Sequence, residues 1–114
     1  MKPFGYLAAI NCYNKNDKIR DPKEIKKFII NLVDLIGMVR HGECRVERFG
    51  EGEIEGWSAF QFIETSSITF HNDEKHNRAF IDVFSCKDFD YQVARDFCQQ
   101  FFESNRTKMS VLSR

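Results

Sequence analysis

Apolar residues recur along this chain with two different spacings, and this contrast most limits the folds that the chain can adopt. Residues 22–38, and a later segment with Ala94, Phe97, Cys98 and Phe101, have the spacing of a helix with one buried face. Most other apolar segments alternate with polar residues, as half-buried strands do. The order is β-α-β-β-β-β-α-β, and short loops between consecutive strands favour antiparallel pairing. The sequence therefore predicts an α+β fold, a two-layer sandwich with a mainly antiparallel sheet covered on one face by two helices.

The first helix has a well-defined start signal. Asp21 suits the N-cap, Pro22 suits the first helical position, and Glu24 suits the reciprocal capping position. We expect Asp88 or Asp90 to cap the second helix.

Six segments are predicted to be strands, and two of them carry most of the candidate polar groups. The six are 4–13, 43–49, 57–63, 67–71, 78–86 and 107–112. The alternation is clearest in 78–86, where Ala79, Ile81, Val83 and Ser85 share one face. If 67–71 pairs with 78–86, hydroxyl, imidazole and thiol groups meet on one sheet. Those groups belong to Ser67, Thr69, His71, Asp82 and Cys86.

Composition excludes several classes of function. The 114 residues include 17 basic and 17 acidic ones, so the chain lacks the basic excess of a nucleic-acid binder. Its length fits one domain, 1–114. No apolar run approaches the roughly 20 residues that span a bilayer, and the first residues lack a secretory signal. We therefore expect a cytoplasmic protein without membrane contact.

The four cysteines are expected to be free thiols, because they are widely spaced and no export signal precedes them. They are Cys12, Cys44, Cys86 and Cys98. His41 and Cys44 have the spacing of half a zinc site, but no second close pair of ligands follows them. No metal is expected.

One long segment resembles a known family. Residues 56–71, GWSAFQFIETSSITFH, are similar to the self-cleavage region of the prokaryotic S-adenosylmethionine decarboxylases, with its glycine-x-serine, apolar strand, central serine and final histidine. Residues 80–86 resemble the family's strand that ends in a catalytic cysteine, and the spacing from His71 to Cys86 matches without a gap. Phe49, preceded by an arginine, resembles the family's arginine-phenylalanine pair.

The resemblance implies a role for each matched residue. Ser66 would attack the carbonyl of Thr65, and the chain would be cut between 65 and 66, which leaves a pyruvoyl group at Ser66 as the cofactor. Ser58 would stabilise the oxyanion during this step. His71 would move a proton during elimination, and Cys86 would later return a proton to the substrate carbon.

The same resemblance implies a pyruvoyl-dependent decarboxylase of S-adenosylmethionine that serves spermidine (polyamine) synthesis. The pyruvoyl group would act as the electron sink, and Phe49 would stack on the adenine of the substrate. The family's dimers pair their sheets near the active sites, so a homodimer is expected. Phenylalanine-rich strands such as 57–63 would supply apolar surface for that contact.

The chain departs from the family at three positions, and these departures leave other functions open. Thr65 stands where the family has glutamate, and Ser67 where it has histidine. Lys75 aligns with the glutamate that grips the ribose diol, while Glu74 lies one residue away and is the candidate for that role. One alternative is decarboxylation of a free amino acid such as ornithine or arginine. Another is an uncleaved, non-catalytic homologue that acts as a partner subunit.

Overall fold

The computed structural model describes residues 1–14 and 16–114, and the elements follow the predicted order. The strands are β1 (Tyr6–Tyr13), β2 (Arg40–Phe49), β3 (Gly56–Ile63), β4 (Ser66–Asp73), β5 (Arg78–Ser85) and β6 (Arg106–Ser113). The helices are α1 (Pro22–Leu35) and α2 (Tyr91–Phe101), with short 3-10 turns at Lys18–Arg20 and Gly52–Ile54. No helix in the described residues is long and apolar enough to cross a bilayer.

All strand pairs are antiparallel, and the six strands form one sheet in the order β2-β3-β4-β5-β1-β6. Alternate side chains of the central strands are buried under the two helices, and the other face of the sheet is open. The predicted α+β two-layer sandwich is therefore confirmed. The pairing of β4 with β5 is also confirmed, with Thr69 opposite Asp82.

The helix starts follow from their caps. The side chain of Asp21 accepts a hydrogen bond from the Lys23 N–H, and that of Asp90 accepts from Gln92 and Val93. The predicted reciprocal cap by Glu24 is wrong. The Asp21 N–H instead donates to the carbonyl of Lys18, in the preceding 3-10 turn, so it needs no side-chain partner.

The first helix ends three residues earlier than predicted. Gly37 has φ +74, which a glycine adopts without steric cost, and the Met38 N–H bonds to the Val33 carbonyl across the helix end. This glycine terminates the helix, although the apolar spacing continues through Ile36 and Met38, which stay nearly buried.

Aromatic rings fill the space between the helices and the sheet. The Phe28 ring lies 4.7 Å from Phe102 and 5.5 Å from Phe97, centroid to centroid, and 6.5 Å from Phe70 of β4. Phe28, Phe70 and Phe102 are fully buried. Such rings bury large apolar areas and pack with preferred geometry, so this cluster fixes α1 and α2 against the centre of the sheet.

Candidate active site

A serine and a histidine face each other on the open side of the sheet. Ser58 of β3 pairs directly with His71 of β4, and the Ser58 Oγ lies 2.9 Å from the His71 Nδ1. Directly opposed side chains of an antiparallel pair project from the same face, so the register alone brings these two groups together. A hydroxyl bonded to an imidazole can orient a proton-transfer group or stabilise a developing charge.

This pair lines a groove of about 450 Å³ on the open face. Phe49 of β2 is 56% exposed and lies in the same groove, where its ring offers a flat surface to a ligand. Arg45 and Glu47 close one side and form an ion pair of 3.0 Å. The groove thus combines aromatic stacking surface, charge of both signs and a histidine.

The β3–β4 turn carries backbone strain at the residue before Ser66. Thr65 has φ +55, a left-handed conformation that a β-branched residue rarely adopts. Such a conformation costs an L-residue about 1–2 kcal/mol. The strained residue therefore directly precedes the peptide bond that the family resemblance marks for cleavage.

Cys86 and Ser66 flank this turn on different sides. The Thr65 Oγ1 lies 2.7 Å from the Cys86 Sγ, and Cys86 is only partly buried. The Ser66 hydroxyl points towards the helix layer and donates to the Ser85 Oγ at 3.0 Å. All four cysteines are free, as predicted, and the other three are buried.

The candidate residues form two separate clusters within one chain, one at Ser58 and His71 and the other at the β3–β4 turn. Ser66 and His71 are five residues apart on β4, which is about 17 Å at the usual rise of a strand. Their side chains also leave opposite faces, because the strand alternates. The predicted placement of His71 and Cys86 on one sheet is confirmed, and the register keeps them on the same face, since His71 pairs with Phe80 and Cys86 continues the register opposite Thr65. They do not meet within one chain, because six strand positions, or about 20 Å, separate Thr65 from His71.

Glu74 lies away from the groove. Its carboxylate makes two hydrogen bonds of 3.0 Å to the Arg48 guanidinium, which holds the pKa of Glu74 below its usual value. Arg48 also lies over the Trp57 ring and bonds to Glu55 at 2.6 Å. Arg48 and Phe49 are consecutive in a strand, so their side chains leave opposite faces. The ribose-binding role of Glu74 stays a prediction.

Sequence reasoning missed Ser85. It was placed on the apolar face of its strand with no role assigned, yet it is fully buried and bonded to Ser66. A single hydroxyl on a face otherwise made of Ala79, Ile81 and Val83 is the signal that marks it. In residues 1–14 and 16–114, no group of three or more His, Cys, Asp or Glu side chains is arranged to hold a metal ion.

The sequence model of the family described as "S-adenosylmethionine decarboxylase" matches residues 6–114. The chain belongs to the S-adenosylmethionine decarboxylase family. A curated "S-adenosylmethionine decarboxylase proenzyme" from Bacillus velezensis is 33% identical over 81 residues, which are 71% of this chain. The matched segment spans 61% of that relative's length.

A solved structure supports the fold of this family member. The crystal structure of the adenosylmethionine decarboxylase from Aquifex aeolicus aligns with a TM-score of 0.82 over 100% of this chain and 92% of the other, at 20% identity. At that identity the likeness establishes the shared α+β fold. Chemistry must then be argued from the residues of this chain.

Proposed function

We propose that this protein is a proenzyme that cuts itself between Thr65 and Ser66 and then decarboxylates S-adenosylmethionine for spermidine synthesis. The observation that carries the proposal is the hydrogen bond between Ser58 and His71. In a member of the S-adenosylmethionine decarboxylase family, such a pair would serve the processing of a serine of the chain. Ser66 stands after a strained residue at the turn.

Self-cleavage uses the chain's own groups. The Ser66 Oγ attacks the Thr65 carbonyl carbon, the bond to the Ser66 nitrogen breaks, and an ester forms. The imidazole of His71 then takes the proton from the Ser66 Cα, and Thr65 leaves as a carboxylate that carries both oxygens. The remaining dehydroalanine takes up water and releases ammonia, which leaves a pyruvoyl group at position 66.

The residues at the turn fit a pyruvoyl group at that position. The strained residue Thr65 directly precedes the peptide bond that must be cut, and Cys86 lies beside Thr65, where it can act as a proton donor for the substrate carbon. The pyruvoyl group supplies an electron sink for decarboxylation. Phe49, in the groove with Ser58 and His71, would stack on the adenine ring.

The separation of the two clusters supports a homodimer. Within one chain, His71 lies about 17 Å along β4 from Ser66, on the opposite face. A second copy packed on the open face would bring its own Ser58 and His71 to this turn. That face offers apolar surface at Phe49, Phe62 and Leu112, each more than half exposed. Single scattered apolar residues are normal, but several on one uncovered sheet face favour a partner.

A free amino acid such as ornithine or arginine is the second candidate substrate. Two observations favour it: Lys75 replaces the family's ribose-binding glutamate, and the neighbouring Glu74 is already bound by Arg48. Carbon dioxide release from S-adenosylmethionine, ornithine and arginine, measured on chain confirmed as cut, decides between these substrates. Release from none of the three would favour the non-catalytic partner subunit.

A further inference from the structure

The hydroxyl of Ser85 sits in a complete hydrogen-bond network beside the serine that we propose to be the nucleophile. Its oxygen accepts from the Lys87 N–H at 2.9 Å and from the Ser66 hydroxyl at 3.0 Å. Its own proton is donated to the Lys87 carbonyl at 2.9 Å. A serine hydroxyl offers one donor and two acceptor positions, so Ser85 has no capacity left.

This network fixes the direction of the Ser66 hydroxyl. Ser85 has spent its only proton on the Lys87 carbonyl, so between the two serines Ser66 must be the donor. No other group in the described part of the chain donates to the Ser66 oxygen. The lone pairs of Ser66 are therefore free to approach the Thr65 carbonyl carbon.

The position of Ser85 is itself held by the backbone. Ser85 lies on β5 between Tyr6 of β1 and Ser66 of β4, and it is fully buried. Gly5 approaches the Ser85 carbonyl so closely that any Cβ at that position would overlap with it. Water does not reach the Ser85 hydroxyl, so no solvent molecule competes for the bond to Ser66.

We propose that Ser85 is a positioning residue for self-cleavage, which orients the Ser66 hydroxyl for attack on the Thr65 carbonyl. Ser85 does not act as the base that removes the Ser66 proton. To accept that proton it would have to pass its own to the Lys87 carbonyl oxygen, which does not take up a proton. This inference rests on the proposed cleavage between Thr65 and Ser66. It assigns Ser85 to the first step, the formation of the ester, whereas His71 acts on the second.

The test is the rate of cleavage, followed by denaturing mass spectrometry, in Ser85→Ala and Ser85→Thr. Loss of one oriented hydrogen bond should slow Ser85→Ala about tenfold. Ser85→Thr keeps the hydroxyl and should restore most of the rate. Uncut Ser85→Ala chain should resist hydroxylamine, because the slowed step precedes the ester, whereas His71→Ala chain should be split by it.

Ser104 provides a matched control for folding. Ser104 is also buried, and its hydroxyl donates to the carbonyl two residues ahead, as that of Ser85 does. Ser104→Ala should lose comparable stability yet cleave at the wild-type rate. Equal rates for Ser85→Ala and wild type, or equal slowing in Ser85→Ala and Ser104→Ala, would overturn the inference alone. A wild-type chain that never cleaves would overturn the proposed function with it.

Discussion

The Thr65 hydroxyl lies 2.7 Å from the Cys86 thiol. The residue proposed to return a proton to the substrate carbon therefore contacts the residue that precedes the proposed cleavage point. This contact exists before cleavage, whereas the proton donation comes after it. The Cys86 thiol therefore lies at the site of self-cleavage, but its proposed chemical role is confined to the later decarboxylation. The two stages can be separated by substitution.

Cys86→Ala should still cleave but lose most decarboxylation, because alanine has no proton to return to the substrate carbon. Carbon dioxide release is measured once mass spectrometry has confirmed the cut. Cys44→Ala removes a buried thiol of β2 that lies beside the start of α1 rather than at the turn, and this variant should keep its turnover per folded molecule. Wild-type turnover in Cys86→Ala would remove Cys86 from the site.

Thr65→Gly should stabilise the uncut chain, because glycine adopts φ +55 without the cost that a Cβ brings. The comparison uses a Ser66→Ala background, which prevents cleavage. There we expect the free energy of unfolding, measured in urea, to be about 1 kcal/mol larger for Thr65→Gly than for Thr65→Ala. Both variants lose the contact with Cys86, so the comparison isolates the backbone. A Thr65→Ala chain as stable as Thr65→Gly would show that the turn is unstrained.

The Arg48–Glu74 ion pair should make stability depend on acid pH. Arg48 lowers the folded-state pKa of Glu74, so its stabilisation is present above the unfolded-state pKa and is lost as pH falls through the lowered value. Glu74→Gln should melt at a slightly lower temperature at pH 7, and the difference from wild type should vanish towards pH 2. Glu53→Gln, at a more exposed pair, should change less. A Glu74→Gln difference that is constant with pH contradicts this account.

Mixed dimers test whether a second copy completes the site. Neither Ser66→Ala nor His71→Ala should cleave alone. When the two are co-expressed, the Ser66 of one chain can meet the His71 of the other, so the His71→Ala chain should be cut. The 66–114 fragment of the His71→Ala chain can be recognised by mass spectrometry, because the substitution changes its mass. Two folded, dimeric variants that stay intact together would contradict a shared site.

The fold could be predicted because periodicity and caps are local signals. The apolar spacing in 22–38 and the caps at Asp21 and Asp90 were sufficient for the helices, and alternation was sufficient for the strands. The predictions were wrong where a contact or backbone feature outside the predicted segment determines the local structure. The Lys18 carbonyl took the Asp21 N–H that Glu24 was expected to cap. β2 begins three residues early because a bulge, with φ +79 at Gly42, lets the strand continue.

The site could be predicted only in part, because its contacts depend on register. Spacing and resemblance named Ser58, His71 and Cys86, but alternation alone did not show that the first two pair directly. It also could not show that Cys86 lies beside Thr65, since that needs the β4–β5 register. Ser85 belongs to no known motif, so only its position as the single hydroxyl on an apolar strand face could have marked it in the sequence.

Denaturing mass spectrometry of the purified wild-type chain tests self-cleavage most directly. The account predicts two fragments, residues 1–65 with an ordinary carboxyl end and residues 66–114 blocked by a ketone. Together they should weigh one water more and one ammonia less than the intact chain. Ser66→Ala, prepared in the same way, should stay whole. A wild-type chain that remains at full length after long incubation, with no ketone detectable, would contradict the account.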